Sequence, residues 1–249
     1  MRATMIVIPC FNEASRLPAR RLLDFATSRD DIRFLTVDDG STDDTRDLLT
    51  SLARSSPAFT VLGLDSNVGK GEAVRQGMLK AMGSEASFIG YWDADLSAPL
   101  GAVDGFRAEL EADPVLEVVF GARVRMAGRT IERSAFRHYV GRFFATVADP
   151  LLGLPFYDSQ CGAKLFRAGP CARALFEAPF HSRWLFDLEI ALRLKEWGKA
   201  RGAILERLVR ERPLDSWKHH PDSRLTACAG ARAFLDILRL RRRYRTGRS

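Results

Sequence analysis

Short apolar runs alternate with stretches of helical spacing through the first half of the chain. Residues 5–9, 32–37, 60–64, 88–92 and 116–120 are nearly continuous in apolar, β-prone side chains. That is the pattern of strands buried on both faces. Between them, residues 17–26, 43–52, 71–82 and 100–111 repeat apolar positions at helical intervals, with Ser15 placed to cap the first helix. The alternation predicts an α/β fold, a mostly parallel sheet with helices on both faces. Beyond Gly121 the pattern loosens. Residues 131–152 read as a helix interleaved with arginines. Residues 185–197 carry a stripe at Leu185, Leu188 and Leu192, and residues 204–208 read as a strand. Residues 225–240 read as an amphipathic helix with apolar or small residues at Leu225, Cys228, Phe234, Leu235 and Leu238. No linker rich in Pro, Gly or Ser interrupts the 249 residues, so one domain over 1–225 and a basic helical tail over 226–249 are expected.

Polar clusters fall where the strands end. Asn12-Glu13, Asp38-Asp39, Asn67 to Gly71 and Asp93 to Ser97 each follow a predicted strand. In open α/β sheets ligands bind beyond the carboxyl ends of the strands, so these clusters point to one shared cleft. Asp93-Ala94-Asp95 puts two carboxylates one residue apart, a donor set for a divalent cation, Mg²⁺ or Mn²⁺, whose remaining positions substrate phosphates fill. Asp38 and Asp39 precede Gly40-Ser41, where a carboxylate can accept hydrogen bonds from a nucleobase or ribose. Asn67-Val68-Gly69-Lys70-Gly71 precedes a helix, where free backbone N–H groups and the Lys70 ammonium suit an anion. The spacing is not that of a Walker A loop, and no Gly-x-Gly-x-x-Gly follows the first strand.

Charge and composition narrow the partners. Lys and Arg number 38 against 31 acids, a formal net charge of +7, which favours a polyanionic partner. No apolar run approaches the ~18 residues of a membrane span. The four cysteines (Cys10, Cys161, Cys171, Cys228) show neither CxxC nor zinc spacing, and a reduced, cytoplasmic setting is the simplest expectation. A nucleic-acid partner is not expected, because interleaved aromatics and a nucleic-acid fold motif are lacking. Arg133 and Arg137 lie four apart and so share a helix face, suited with Arg123 to clamp a phosphate.

The segments Ile8-Pro9-Cys10-Phe11-Asn12-Glu13, Asp38-Asp39-Gly40-Ser41, Asn67 to Gly71 and Asp93-Ala94-Asp95-Leu96 resemble family-two inverting glycosyltransferases of the GT-A fold. Asp158-Ser159-Gln160-Cys161-Gly162-Ala163-Lys164-Leu165-Phe166, Arg183 to Glu189, and Trp217 followed by Ser223-Arg224-Leu225 are similar to the branch that glucosylates dolichyl phosphate. The resemblance implies a single GT-A, Rossmann-like domain that moves a hexose, glucose from UDP-glucose, to a polyprenyl phosphate. It implies that Pro9, Phe11 and Glu13 line a nucleoside pocket which Asp38 and Asp39 reach into. By the same resemblance Asp93 and Asp95 bracket metal and diphosphate, with Asp95 the direct ligand. Arg224 closes over the diphosphate, and Arg123 meets the acceptor phosphate. Ser97 stands where mannosyl relatives carry Gln. Asp158, Gln160, Lys164, Asp187 and Glu189 are expected in the cleft, Gln160 and Lys164 on the acceptor and Asp187 as a catalytic residue. Asp187 and Glu189 are two apart on a helix and cannot face the same way, so one has a structural task. A soluble phosphorylated or hydroxyl acceptor is the alternative; for a hydroxyl, Asp187 would serve as base. The arginines at 239, 241, 242, 243, 245 and 248 suit an anionic membrane surface, implying peripheral association at its cytoplasmic face.

Overall fold

The computed structural model describes residues 3–131, 151–183, 185–218 and 227–245, with side chains of the last stretch from Leu235 to Tyr244. Strands β1 (Thr4–Cys10), β2 (Ile32–Asp38), β3 (Phe59–Gly63) and β4 (Phe88–Trp92) alternate with helices α1 (Ala19–Thr27), α2 (Thr45–Ser55) and α3 (Lys70–Ala81). Helix α4 (Ala102–Ala112) leads to β5 (Val118–Ala122). The later elements are β6 (Thr130–Ile131), β7 (Ala163–Arg167), α5 (Pro170–Phe176), α6 (Phe186–Lys199), α7 (Leu205–Leu208), β8 (Val209–Pro213), β9 (Ser216–Trp217) and α8 (Ala227–Arg245). The main sheet runs β3-β2-β1-β4-β7-β5-β8, and β6 pairs with β9 apart from it.

Period-two alternation divides the strands between two cores. Ile6, Ile8, Phe34, Phe88 and Trp92 point to the side covered by α1, α2 and α4. Val7, Leu35, Val37, Ile89 and Tyr91 point to the side covered by α3, α5, α6 and α8. Both faces are apolar, so the strands read as continuous hydrophobic runs. Helix α3 lies so close to β1 that a Cβ on Gly77 would come within 2.4 Å of Val7 Cγ1.

The sheet is mostly parallel, as expected, with β7 alone antiparallel between β4 and β5. Two expectations need correction. Residues 205–208 form a helical turn rather than a strand, burying Leu205 and Leu208 three apart while Ile204 stays 63% exposed. The strand comes next, and its Arg210, Glu211 and Arg212 suit the sheet edge it occupies. Among the described side chains of α8, Ile237 and Leu240 are buried, whereas Leu235 and Leu238, expected on the apolar face, are 52% and 40% exposed. The helix is docked, with Ser182 donating to Asp236 at 2.8 Å and Tyr244 to Glu189 at 3.2 Å. The helix expected over 131–152 lies almost wholly outside the described residues.

Candidate active site

The carboxyl ends of β1, β2 and β4, the turn that feeds α3 and the start of β7 converge at one edge of the sheet. After β1 the chain turns through Asn12, which adopts φ 53°. Asparagine tolerates that left-handed conformation better than most residues. Its side chain accepts from Thr42 N at 2.9 Å, and its own N–H meets Ser41 Oγ. Glu13, expected to line a nucleoside pocket with Pro9 and Phe11, takes an ion pair from Arg16. Pro9 is buried within β1, and Phe11 and Glu13 are half-buried beside the β2 turn.

Asp38 and Asp39 are built into the scaffold. Asp38 is fully buried, accepting from Ser41 N at 3.0 Å and from Arg46 Nε at 2.7 Å. Arg46 also donates to the Leu64 carbonyl. Asp38, expected to reach a base or ribose, is fully enclosed and held by these fixed partners. Asp39 accepts from Val68 N at 2.8 Å and Gly69 N at 2.9 Å, which ties the β2 end to the turn before α3. Burial pushes its carboxyl up, against the pull of those amides and of Arg183. Gly40 closes this corner at φ 64°, where a Cβ would lie 2.4 Å from the Ser66 backbone.

Asp93 and Asp95 are only half-buried. Asp93 N donates to the Gly162 carbonyl at 2.9 Å, and its carboxylate lies on Gly162, where a Cβ would meet Oδ2 at 2.0 Å. Lys70, the first residue of α3, reaches Asp93 Oδ1 at 2.5 Å and lies 5.9 Å from the Phe186 ring centroid. Burial works against the Lys70 charge, but Asp93, Asp187 and Asp95 outweigh it and hold the ammonium above its ordinary pKa. Asp95 accepts from Ser97 N at 2.9 Å across Leu96, whose φ of 48° is a strained conformation for a leucine. No group of three His, Cys, Asp or Glu side chains gathers for a metal among the described residues. Two half-open carboxylates beside the start of α3 nevertheless suit a hard cation, which can take its other oxygens from phosphate and water. The donor set fits.

Lys164 receives a different role from the acceptor contact expected of it. It is fully buried, donating to Asp187 Oδ1 at 2.6 Å and to the Cys161 carbonyl at 2.7 Å. Tyr91 OH donates to the same Asp187 oxygen. Burial, then Asp187, pushes the Tyr91 phenol well up, so it remains a donor. Asp187 is thus fixed from two strands. Glu189 has the structural task, accepting from His181 N at 2.8 Å and pairing with Arg193 at 2.8 Å.

Arg123 is gripped by Asp158 through Nε at 2.7 Å and Nη2 at 2.6 Å, with its guanidinium 5.4 Å from the Trp217 ring centroid. Its own backbone N–H meets the same carboxylate. Glu211 anchors that loop, accepting from the N–H groups of Tyr157 and Asp158 at 2.7 Å each. Gln160 Nε2 is buried with no acceptor among the described residues. Arg133, Arg137 and Arg224 lie outside the described residues.

Sequence reasoning gave no role to Arg46, Glu211, Tyr91 or Arg183. Arg183 donates to Asn67 Oδ1 at 2.8 Å and lies over Gly69, where a Cβ would come 2.5 Å from its Nε. Gly69, at φ 96°, leaves the empty space that this guanidinium needs.

Known proteins resemble the chain at three levels. A family model described as glycosyl transferase family 2 matches residues 5–173. A dolichyl-phosphate beta-glucosyltransferase of Dictyostelium discoideum is 31% identical over 97% of this chain and 75% of its own length. One from Trichomonas vaginalis is 26% identical over 98% and 72%. A Mycobacterium tuberculosis glucosyl-3-phosphoglycerate synthase, crystallised with Mn²⁺, UDP-glucose and phosphoglyceric acid, superposes with TM-score 0.64 at 16% identity. That superposition covers 96% of this chain and 80% of the other, and the likeness is one of fold. The family match runs from β1 through the inserted β7 into α5, the stretch that supplies both acid pairs, Lys70 and Lys164, and the chain belongs to glycosyl transferase family 2.

Proposed function

We propose that this glycosyltransferase moves glucose from UDP-glucose to a polyprenyl phosphate, inverting the anomeric carbon. The observation that carries the reading is the half-open Asp93–Asp95 pair facing Lys70 at the start of α3, with Asp187 held beside it. The likeness to dolichyl-phosphate beta-glucosyltransferases along nearly the whole chain supports the sugar and the acceptor class.

The nucleoside lies against Pro9, Phe11 and Glu13, in a pocket whose walls Asp38 and Asp39 hold in place. The diphosphate meets Lys70 and the free N–H groups that open α3. Asp95 and Asp93 would hold a divalent cation, Mg²⁺ or Mn²⁺, which when bound offsets charge on the leaving diphosphate. The acceptor phosphate, with a second pKa near ~6, is largely a dianion at neutral pH and needs no strong base. One of its oxygens forms a bond to the anomeric carbon as the bond from that carbon to the UDP oxygen breaks on the opposite face. The bonding pair leaves with UDP. Asp187, fixed by Lys164 and Tyr91, orients the sugar hydroxyls. Arg123, with Arg133 and Arg137, receives the acceptor phosphate, with Gln160 next to that path, while Arg224 closes over the diphosphate.

Among the described residues no helix is long and apolar enough to cross a membrane. We place the lipid acceptor at a membrane surface met by α8, where Leu235 and Leu238 stand exposed beside Arg239. Removing residues 239–249 should weaken flotation with anionic vesicles, less so at high salt. Equal flotation of both proteins would end that placement.

Transfer of radiolabelled glucose from UDP-glucose into butanol-extractable lipid tests the reaction. Label appearing only in water-soluble product, with polyprenyl phosphate present, would overturn the lipid acceptor. Preference for another nucleotide sugar would overturn the donor.

A further inference from the structure

We infer that Lys70 acts as a built-in counter-ion at the metal position, so that the divalent cation and the donor diphosphate bind as a coupled pair. The inference rests on the donor reading above and adds to it an order of dependence. Lys70 Nζ stands 2.5 Å from Asp93 Oδ1. The Asp93 N–H is tied to the Gly162 carbonyl, and its carboxylate lies in the space a Cβ on Gly162 would need. Asp187 and Asp95 act on the same ammonium.

A free divalent ion approaching Asp93 therefore meets a carboxylate already neutralised and a like charge within contact distance. At such separations, in a partly buried site, like charges repel more strongly than they do in bulk water. A diphosphate at the start of α3 changes both terms. It offers the ammonium a stronger anion, and it supplies oxygens to the cation. Lys70 is 45% exposed on a flexible four-carbon stem, so it can swing from Asp93 to phosphate while the α3 backbone stays still. Each ligand prepares the site for the other, and linkage requires the coupling to be reciprocal.

Binding measurements on the metal-stripped full chain test this without turnover. Mn²⁺ affinity is read by electron paramagnetic resonance, with and without UDP, in wild type, Lys70→Met and Arg183→Gln. UDP affinity is read by calorimetry. Wild type should bind Mn²⁺ weakly alone and much more tightly with UDP. Lys70→Met should bind Mn²⁺ alone about tenfold more tightly, bind UDP more weakly, and show a correspondingly smaller gain when both are present. Arg183→Gln removes a nearby charge that reaches Asn67 instead of Asp93, and should change Mn²⁺ affinity far less. Lys70→Gln provides the same comparison if methionine disturbs the fold. Unchanged or weaker binding of Mn²⁺ alone in the Lys70 variants overturns the inference, as does an equal gain in Arg183→Gln or no Mn²⁺ binding in any state. Wild type that binds Mn²⁺ but no UDP overturns the donor reading instead.

Discussion

Two pairs of acids end two parallel strands that flank β1, and the fold treats them oppositely. Asp38 and Asp39, at the end of β2, are buried and receive Ser41 N, Arg46 Nε, Val68 N and Gly69 N. Asp93 and Asp95, after β4, are half-open and are met by one ammonium and one amide. The difference lies in what flanks each strand end. The loop after β3 folds over β2 and brings fixed backbone donors. β4 is flanked instead by Gly162, which has no side chain, and by the start of α3, which brings a movable lysine. A carboxylate saturated by fixed donors is scaffold. One balanced by a swinging cation remains open to a ligand.

The largest expected effect separates the pairs directly. Asp95→Asn should lower kcat by about 10²–10³-fold, the scale of losing one electrostatic contact to a leaving group. Its melting temperature should stay within ~2 °C of wild type, because the side chain is only half-buried. Asp38→Ala should do the reverse, costing about 1–3 kcal/mol by leaving Ser41 N–H and Arg46 without their acceptor. Calorimetry and steady-state kinetics on both variants check the contrast. A melting shift for Asp95→Asn as large as that for Asp38→Ala would erase it.

The two glycines sharpen it. Gly162→Ala displaces the tip of the Asp93 carboxylate, so activity should fall about 10–100-fold with little loss of stability. Gly40→Ala must hold an alanine at φ 64° against the Ser66 backbone, so it should unfold at markedly lower urea. An active Gly162→Ala would show that Asp93 need not sit where it does.

The smallest effect extends the comparison to a third acid. Burial alone would raise the Glu189 carboxyl, but His181 and Arg193 outweigh it and hold it below 4.5. The native state then binds fewer protons than the unfolded chain in that range. Its stabilisation is present above pH 4.5 and is lost as pH falls through the lowered native value. Glu189→Gln should make the acid limb of a stability–pH curve shallower while leaving the neutral-pH slope alone. An unaltered acid limb would remove Glu189 from the scaffold account.

Much of this was legible from local pattern. β1, β2 and β4 announced themselves as unbroken apolar runs, and the polar residues after them marked the cleft. β7 escaped because Lys164 sits in mid-strand, where a lone lysine argues against burial. Its charge is met by Asp187, 23 residues on, and no local window shows that. β8 escaped because edge strands carry charge, so Arg210, Glu211 and Arg212 hid it. In α8 the helix was legible but its buried side was not, since Leu235 and Leu238 are as apolar as Ile237 and Leu240. Which of them faces inward is set by α6 and the segment before it. Asp39 and Asp93 look alike in sequence, and only the loop after β3, which brings Val68 N and Gly69 N to Asp39, tells them apart.

The position of β7 also sets an order of events during synthesis. As the ribosome releases the chain, β1 to β4 can pair with one another as soon as they emerge. The far edge of β4 then has no neighbour until residues 163–167 arrive, about seventy residues later. β5 appears earlier but cannot join, because its place in the sheet is on the other side of β7. For that interval the nascent protein carries an open, apolar strand edge, the kind of surface that recruits chaperones or stray strands. The strand that ends the exposure is the one that brings Lys164, so the sheet closes before Asp187 has emerged to meet its partner.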